Sequence, residues 1–129
     1  MAAFTKADLL VCDPAWVSYV PQAKILGMGV VQIPTTFEGR WRLTPQAFAQ
    51  ALEGRADSSI PAVLILNYPG NPDGLSYTAL ELSDLADVAR KYGVLVISDE
   101  IYGRLNHSCQ HVSLAKYYPE GEIKIKHYC

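Results

Sequence analysis

The sequence predicts an α/β fold, a mostly parallel sheet with helices on both faces. Two continuous apolar runs of strand length, 62–66 (AVLIL) and 94–98 (VLVIS), predict it first. Strands covered on both faces lose the in/out alternation of a half-solvated sheet. A helical repeat between the runs predicts it second: Leu82, Leu85, Ala86 and Ala89 fall at spacings of three, four and seven and share one side of a helix over about 77–91. Alternation of such segments along the chain predicts it third, since strand–helix–strand units are joined by crossovers that keep the strands parallel.

The first strand is expected at 9–12 and the next at 30–33, with a helix over about 15–26 between them that must absorb or kink at Pro21. Thr44 followed by Pro45 is an N-cap with proline at the first helical position. Phe48, Ala51 and Leu52 continue it as an apolar stripe that Gly54 terminates. The helix over 77–91 ends with Arg90 and Lys91 at its negative pole and Gly93 as a left-handed cap. After Asp99 the pattern weakens. The segment 122–129 (EIKIKHYC) alternates apolar and basic residues without a turn or cap to place it, so it is left unassigned.

At 129 residues and 50% hydrophobic composition, one domain or part of one is expected. A net charge of -2 without blocks of like charge argues against nucleic acid and membrane as partners. The opening MAAFTKADLLVCDP is too short in its apolar run for a signal or a membrane span, and a cytoplasmic location is the expectation. Cys12, Cys109 and Cys129 are widely spaced and lack a C-x-x-C, so free thiols are expected.

Ligands of open α/β sheets bind beyond the carboxyl ends of the strands. Two polar clusters fall there: Asn67-Tyr68-Pro69-Gly70-Asn71-Pro72-Asp73-Gly74 after the first apolar run, and Ser98-Asp99-Glu100-Ile101-Tyr102-Gly103 after the second. Singly, each has an ordinary reading, a tight turn or a helix cap. Together, N-P-x-G, a helix, and a buried strand ending in D-E-x-Y resemble the signature of class I and II, fold-type I aminotransferases, enzymes that depend on pyridoxal 5′-phosphate. The segment from Asp13 to Tyr19 (DPAWVSY) resembles the family's proline-x-tryptophan segment.

The resemblance implies that Asp99 pairs with the cofactor's pyridine nitrogen and keeps it protonated, which makes the ring an electron sink. It implies that Asn71 and Tyr102 hydrogen-bond the ring's phenolic oxygen, and that Trp16 stacks on one ring face; otherwise Trp16 is a core tryptophan at a helix start. It further implies cis bonds at Asp13–Pro14 and Asn71–Pro72, amino acid and 2-oxo acid substrates, and relatives that are homodimers. Residues 1–121 are then part of the cofactor-binding large domain, and 122–129 a divergent tail.

In relatives, the stretch resembling 116–121 leads into a strand and then Ser-Lys, the lysine that forms the Schiff base. Residues 122–129 depart from that pattern. Lys124 and Lys126 lack the flanking serine, glycines and arginine of the motif, so a truncated chain without transaminase activity is expected. A non-catalytic fragment that acts by interaction or keeps residual cofactor binding is the main alternative. Another chemistry on the same fold, such as a C–S lyase or a decarboxylase, is a further one.

Three other signals carry less. Gly27-Met28-Gly29 precedes a strand instead of following one and lacks the third glycine of a dinucleotide loop. His107, Cys109 and His111 could line one face of an extended segment, but no fourth ligand is near and no metal site is expected. Asp99 and Glu100 are neighbours at a strand end, point to opposite sides, and would not share a substrate.

Overall fold

The computed structural model describes residues 6–105 and 111–125. Its elements are β1 (Asp8–Asp13), α1 (Tyr19–Ile25), β2 (Gly29–Pro34), α2 (Pro45–Glu53), β3 (Ala62–Asn67), α3 (Ala79–Tyr92), β4 (Leu95–Asp99) and β5 (Glu122–Ile125). All five strands pair in parallel, in the order β2-β1-β3-β4-β5. Each expected strand and helix is present, and β5 adds order to a segment the sequence left unassigned.

Period-two alternation sorts the strand side chains between two cores. Leu10, Leu64, Leu66 and Val96 pack on one face with Phe48 and Leu52 of α2 and Leu82, Leu85 and Ala89 of α3. Leu9, Val11, Val63, Ile65 and Ile97 pack on the other face with Tyr19 and Ala23 of α1. Burying one such aliphatic side chain contributes ~1.5–3 kcal/mol, so a shift that exposed either set would be heavily opposed. The continuous apolar runs are therefore two alternating patterns superposed.

The helix ends follow their local chemistry. Thr44 accepts a bond from the Ala47 N–H at 3.2 Å, with Pro45 in the first turn. Thr78 and Glu81 form a reciprocal capping box, and Gly93 takes the left-handed conformation at φ 63°. Arg42 reaches both carboxylate oxygens of Glu81 at 2.8 Å, tying the segment before α2 to the start of α3. The first helix is shorter than the sequence suggested and begins at Tyr19, because Pro21 fits its first turn, where no intrahelical N–H bond is lost. Among the described residues no helix is long and apolar enough to cross a membrane.

The chain order places a topological switch between β1 and β3: β2 lies on one side of β1, and β3 and β4 on the other. Connections leaving the carboxyl ends of β1 and β3 run to helices on opposite faces, since α1 and α3 belong to different cores. They open a crevice between them, where ligands of such sheets bind.

Two phenols, the buried Tyr68 and the partly buried Tyr77, give the fold a pH limit. Tyr77 accepts the Leu43 N–H at 2.9 Å, and Tyr68 accepts the Leu114 N–H at 2.7 Å while donating to Glu100 at 2.9 Å. Burial pushes both well above the ordinary phenol range. In the unfolded chain they ionise near ~10, so the stabilisation they carry is complete below that pH and is lost as pH rises through the folded-state values. The urea midpoint should fall between about pH 9 and 11, and less steeply in Tyr77→Phe. That variant should also lose ~1–3 kcal/mol at neutral pH for the unpaired Leu43 N–H. A midpoint flat across that range would contradict this account.

Candidate functional site

The register of β3 against β4 sets Asn67 opposite Asp99 at the carboxyl edge of the sheet. Asn67 Nδ2 donates to the Asp99 carbonyl at 3.0 Å, and the Tyr68 N–H donates to the same oxygen at 3.1 Å. Asn67 Oδ1 accepts the Asn71 N–H at 2.8 Å and so pins the N-P-x-G loop to the strand that precedes it. One asparagine therefore joins the two clusters.

A cavity of about 130 Å³ opens over this edge, lined by Trp16, Tyr19, Asn67, Asn71, Asp99, Ile101 and Tyr102. The four residues singled out in the sequence, Trp16, Asn71, Asp99 and Tyr102, all lie on it, although they come from the end of β4 and from connections after β1, β3 and β4. Asn71 Nδ2 approaches the Tyr102 hydroxyl at 3.4 Å, so an amide and a phenol converge on one side. Trp16 is 44% exposed at the mouth and meets Tyr19 edge-to-face, with centroids 5.6 Å apart at 79°. This is not the setting of a core tryptophan. The bonds Asp13–Pro14 and Asn71–Pro72 are cis, as the resemblance implied, and Tyr68–Pro69 is cis as well.

Among the described residues that line it, Asp99 alone carries an acidic or basic side chain. Its Oδ2 accepts the Tyr19 hydroxyl at 2.5 Å and its Oδ1 the Ile101 N–H at 3.3 Å. A carboxylate offers about four acceptor positions, so capacity remains toward the cavity. Burial and the bond to Asp99 push the Tyr19 phenol above its ordinary range, which keeps it a donor.

Glu100 points to the opposite side, as expected for a strand-end neighbour. Its carboxylate accepts from Tyr68 and Ser98 at 2.9 Å and from Ser113 at 2.8 Å, and pairs with His111 Nε2 at 2.7 Å. His111 thus belongs to a buried polar cluster, while His107 and Cys109 lie outside the described residues. Cys12 lies in a smaller neighbouring cavity of about 30 Å³ beside Arg42, Asp73 and Tyr77. Burial pushes its thiol up to about 12, so at neutral pH it is neither thiolate nor nucleophile.

Tyr19 and Asn67 were not among the residues singled out. The signal for Asn67 was its place as the polar end of an apolar run. The signal for Tyr19 was weaker, a tyrosine three residues after Trp16 whose role depends on a contact 80 residues away.

Comparison with known proteins identifies the family and the fold. The family profile described as aminotransferase class I and II matches residues 1–123. An aspartate aminotransferase of Geobacillus stearothermophilus is 37% identical over 114 residues, 88% of this chain and 28% of that protein. Nicotianamine aminotransferase 1 of Oryza sativa subsp. japonica is 37% identical over 98 residues, 76% of this chain and 19% of that protein. The solved structure of a Thermus thermophilus aspartate aminotransferase tetra mutant superposes with a TM-score of 0.85 at 27% identity, covering 97% of this chain and 34% of that one. The chain thus spans 19% to 34% of the length of these relatives, and within that span it belongs to the class I and II aminotransferase family.

Proposed function

We propose that the chain carries the ring-binding part of a pyridoxal 5′-phosphate-dependent aminotransferase, with residues 1–121 as part of the cofactor-binding large domain. The observation behind this reading is the lone carboxylate of Asp99 facing an aromatic-walled slot, with the Asn71 amide and Tyr102 phenol converging on the same slot. An anion in such surroundings calls for a cationic N–H partner, and a protonated pyridine nitrogen supplies one. Asn71 and Tyr102 suit an anionic ring oxygen, and Trp16 an aromatic face.

When bound, the cofactor supplies an electron sink conjugated to the α-carbon of an amino acid. Asp99 holds the proton at the ring nitrogen, since an opposite charge within bonding distance favours the protonated form. Asn71 and Tyr102 donate to the ring oxygen and stabilise its negative charge. Trp16 covers one face and excludes water, which strengthens each of these polar contacts. The complete enzyme exchanges an amino group between an amino acid and a 2-oxo acid, in the cytoplasm and as a homodimer. The matched relatives are named for different amino donors, aspartate and nicotianamine.

Fluorescence titration with pyridoxamine 5′-phosphate, which needs no lysine to bind, tests the cofactor reading. Saturable binding is expected, and Asp99→Ala should weaken it roughly 10- to 100-fold, the loss of a charge-assisted hydrogen bond. Absence of saturable binding, or equal binding by the variant, would sink the proposal.

None of the 129 residues stands in a Ser-Lys motif of the family's kind. Assayed with several amino donors and pyridoxal 5′-phosphate, the purified 129-residue chain should turn over no faster than the free cofactor. Faster turnover would show that one of its own lysines serves as the Schiff-base residue.

A further inference from the structure

We infer that Tyr19 is the positioning residue of Asp99: one buried phenol both orients the carboxylate toward the cavity and braces the Trp16 indole at its mouth. The role rests on the cofactor reading above, but the pairing on which it depends exists in the chain alone.

The backbone and side chain of Asp99 are held by different means. Asn67 Nδ2 and the Tyr68 N–H bind its carbonyl oxygen. Neither touches the carboxylate. That group has two described partners, the Tyr19 hydroxyl at 2.5 Å and the Ile101 N–H at 3.3 Å. The second lies at the long end of hydrogen-bond distances, so orientation depends mainly on Tyr19.

Tyr19 is itself well anchored. It is 7% exposed, begins α1, and packs in the core that includes Leu9, Val11, Ala23, Val63 and Ile65. Its ring and that of Trp16 meet in a T-shaped arrangement with centroids 5.6 Å apart. The side chain therefore transmits the position of β1 and α1 to the end of β4. Its phenol stays protonated because burial and the adjacent carboxylate both oppose ionisation, with Tyr102 adding a smaller effect of the same sign. A donor that cannot ionise in the working range keeps Oδ2 of Asp99 occupied, while the carboxylate, whose Oδ1 also accepts the Ile101 N–H, retains acceptor positions beside the cavity it lines.

Two measurements test this. In the first, tyrosine labelled with an NMR-active carbon at Cζ is followed against pH in the ligand-free chain, with Tyr19→Phe identifying the resonance. Tyr19 should not titrate near the ordinary phenol value of ~10, and in Asp99→Asn its midpoint should fall. Titration of Tyr19 at the ordinary value, or no response to Asp99→Asn, overturns the pairing.

In the second, pyridoxamine 5′-phosphate labelled at its ring nitrogen is bound to the chain and titrated by NMR. Tyr19→Phe should lower the ring-nitrogen midpoint by about one pH unit or more, as expected when a charged partner is lost from the nitrogen. Val20→Ala, which loosens the same helix without removing the phenol, should leave that midpoint in place. An unchanged or raised midpoint in Tyr19→Phe, or an equal fall in Val20→Ala, overturns the positioning role. Failure of the unmodified chain to bind the ligand while Tyr19 still responds to Asp99→Asn overturns the cofactor reading and the role with it. Loss of that response alone overturns only the role.

Discussion

The alignment of β3 with β4 is the constraint on which the rest depends. It sets Asn67 beside Asp99, and from that pair follow the fixed carbonyl of Asp99, the pinned N-P-x-G loop and the meeting of Asn71 with Tyr102. Side chains alternate along a strand, so a slip of one residue would exchange the faces of every apolar residue in β4 and turn its terminal carboxylate the wrong way. The two hydrophobic cores, one on each face, resist that slip because both would be opened at once. Apolar packing thereby becomes the source of precision in a polar site.

The end of β4 also shows how two adjacent carboxylates receive opposite treatment. Glu100 is enclosed, and the cost of burying it is offset by hydroxyl donors from Tyr68, Ser98 and Ser113 and by pairing with His111. It welds the start of one loop to the segment around Ser113. Asp99 instead retains acceptor capacity toward an open cavity. The difference is set by which face of the strand each side chain leaves, not by residue type.

Much of this was legible in the sequence. The apolar runs announced β3 and β4, the spacing of leucines and alanines announced α3, and Thr44-Pro45 announced α2, because each depends on neighbours within a few residues. The convergence of Trp16, Asn71, Asp99 and Tyr102 was legible through motif order, since parallel strands bring all their carboxyl ends to one edge. Three things were hidden. The length of α1 turned on how Pro21 sits in a first turn. The strand β5 alternates but has no turn or cap to place it in the sequence, and it gains its order by pairing with β4. The tie between Tyr19 and Asp99 joins residues with no sequence relation, which no local pattern can announce.

The span of that tie has a thermodynamic corollary. The cavity walls come from connections after β1, β3 and β4, so no isolated segment contains the site, and a denatured chain offers a ligand nothing comparable. Occupancy and folding are then linked equilibria, and a ligand present at one hundred times its dissociation constant raises the unfolding free energy by about 2.7 kcal/mol. Any ligand that occupies this cavity in the folded state alone stabilises the fold that forms it.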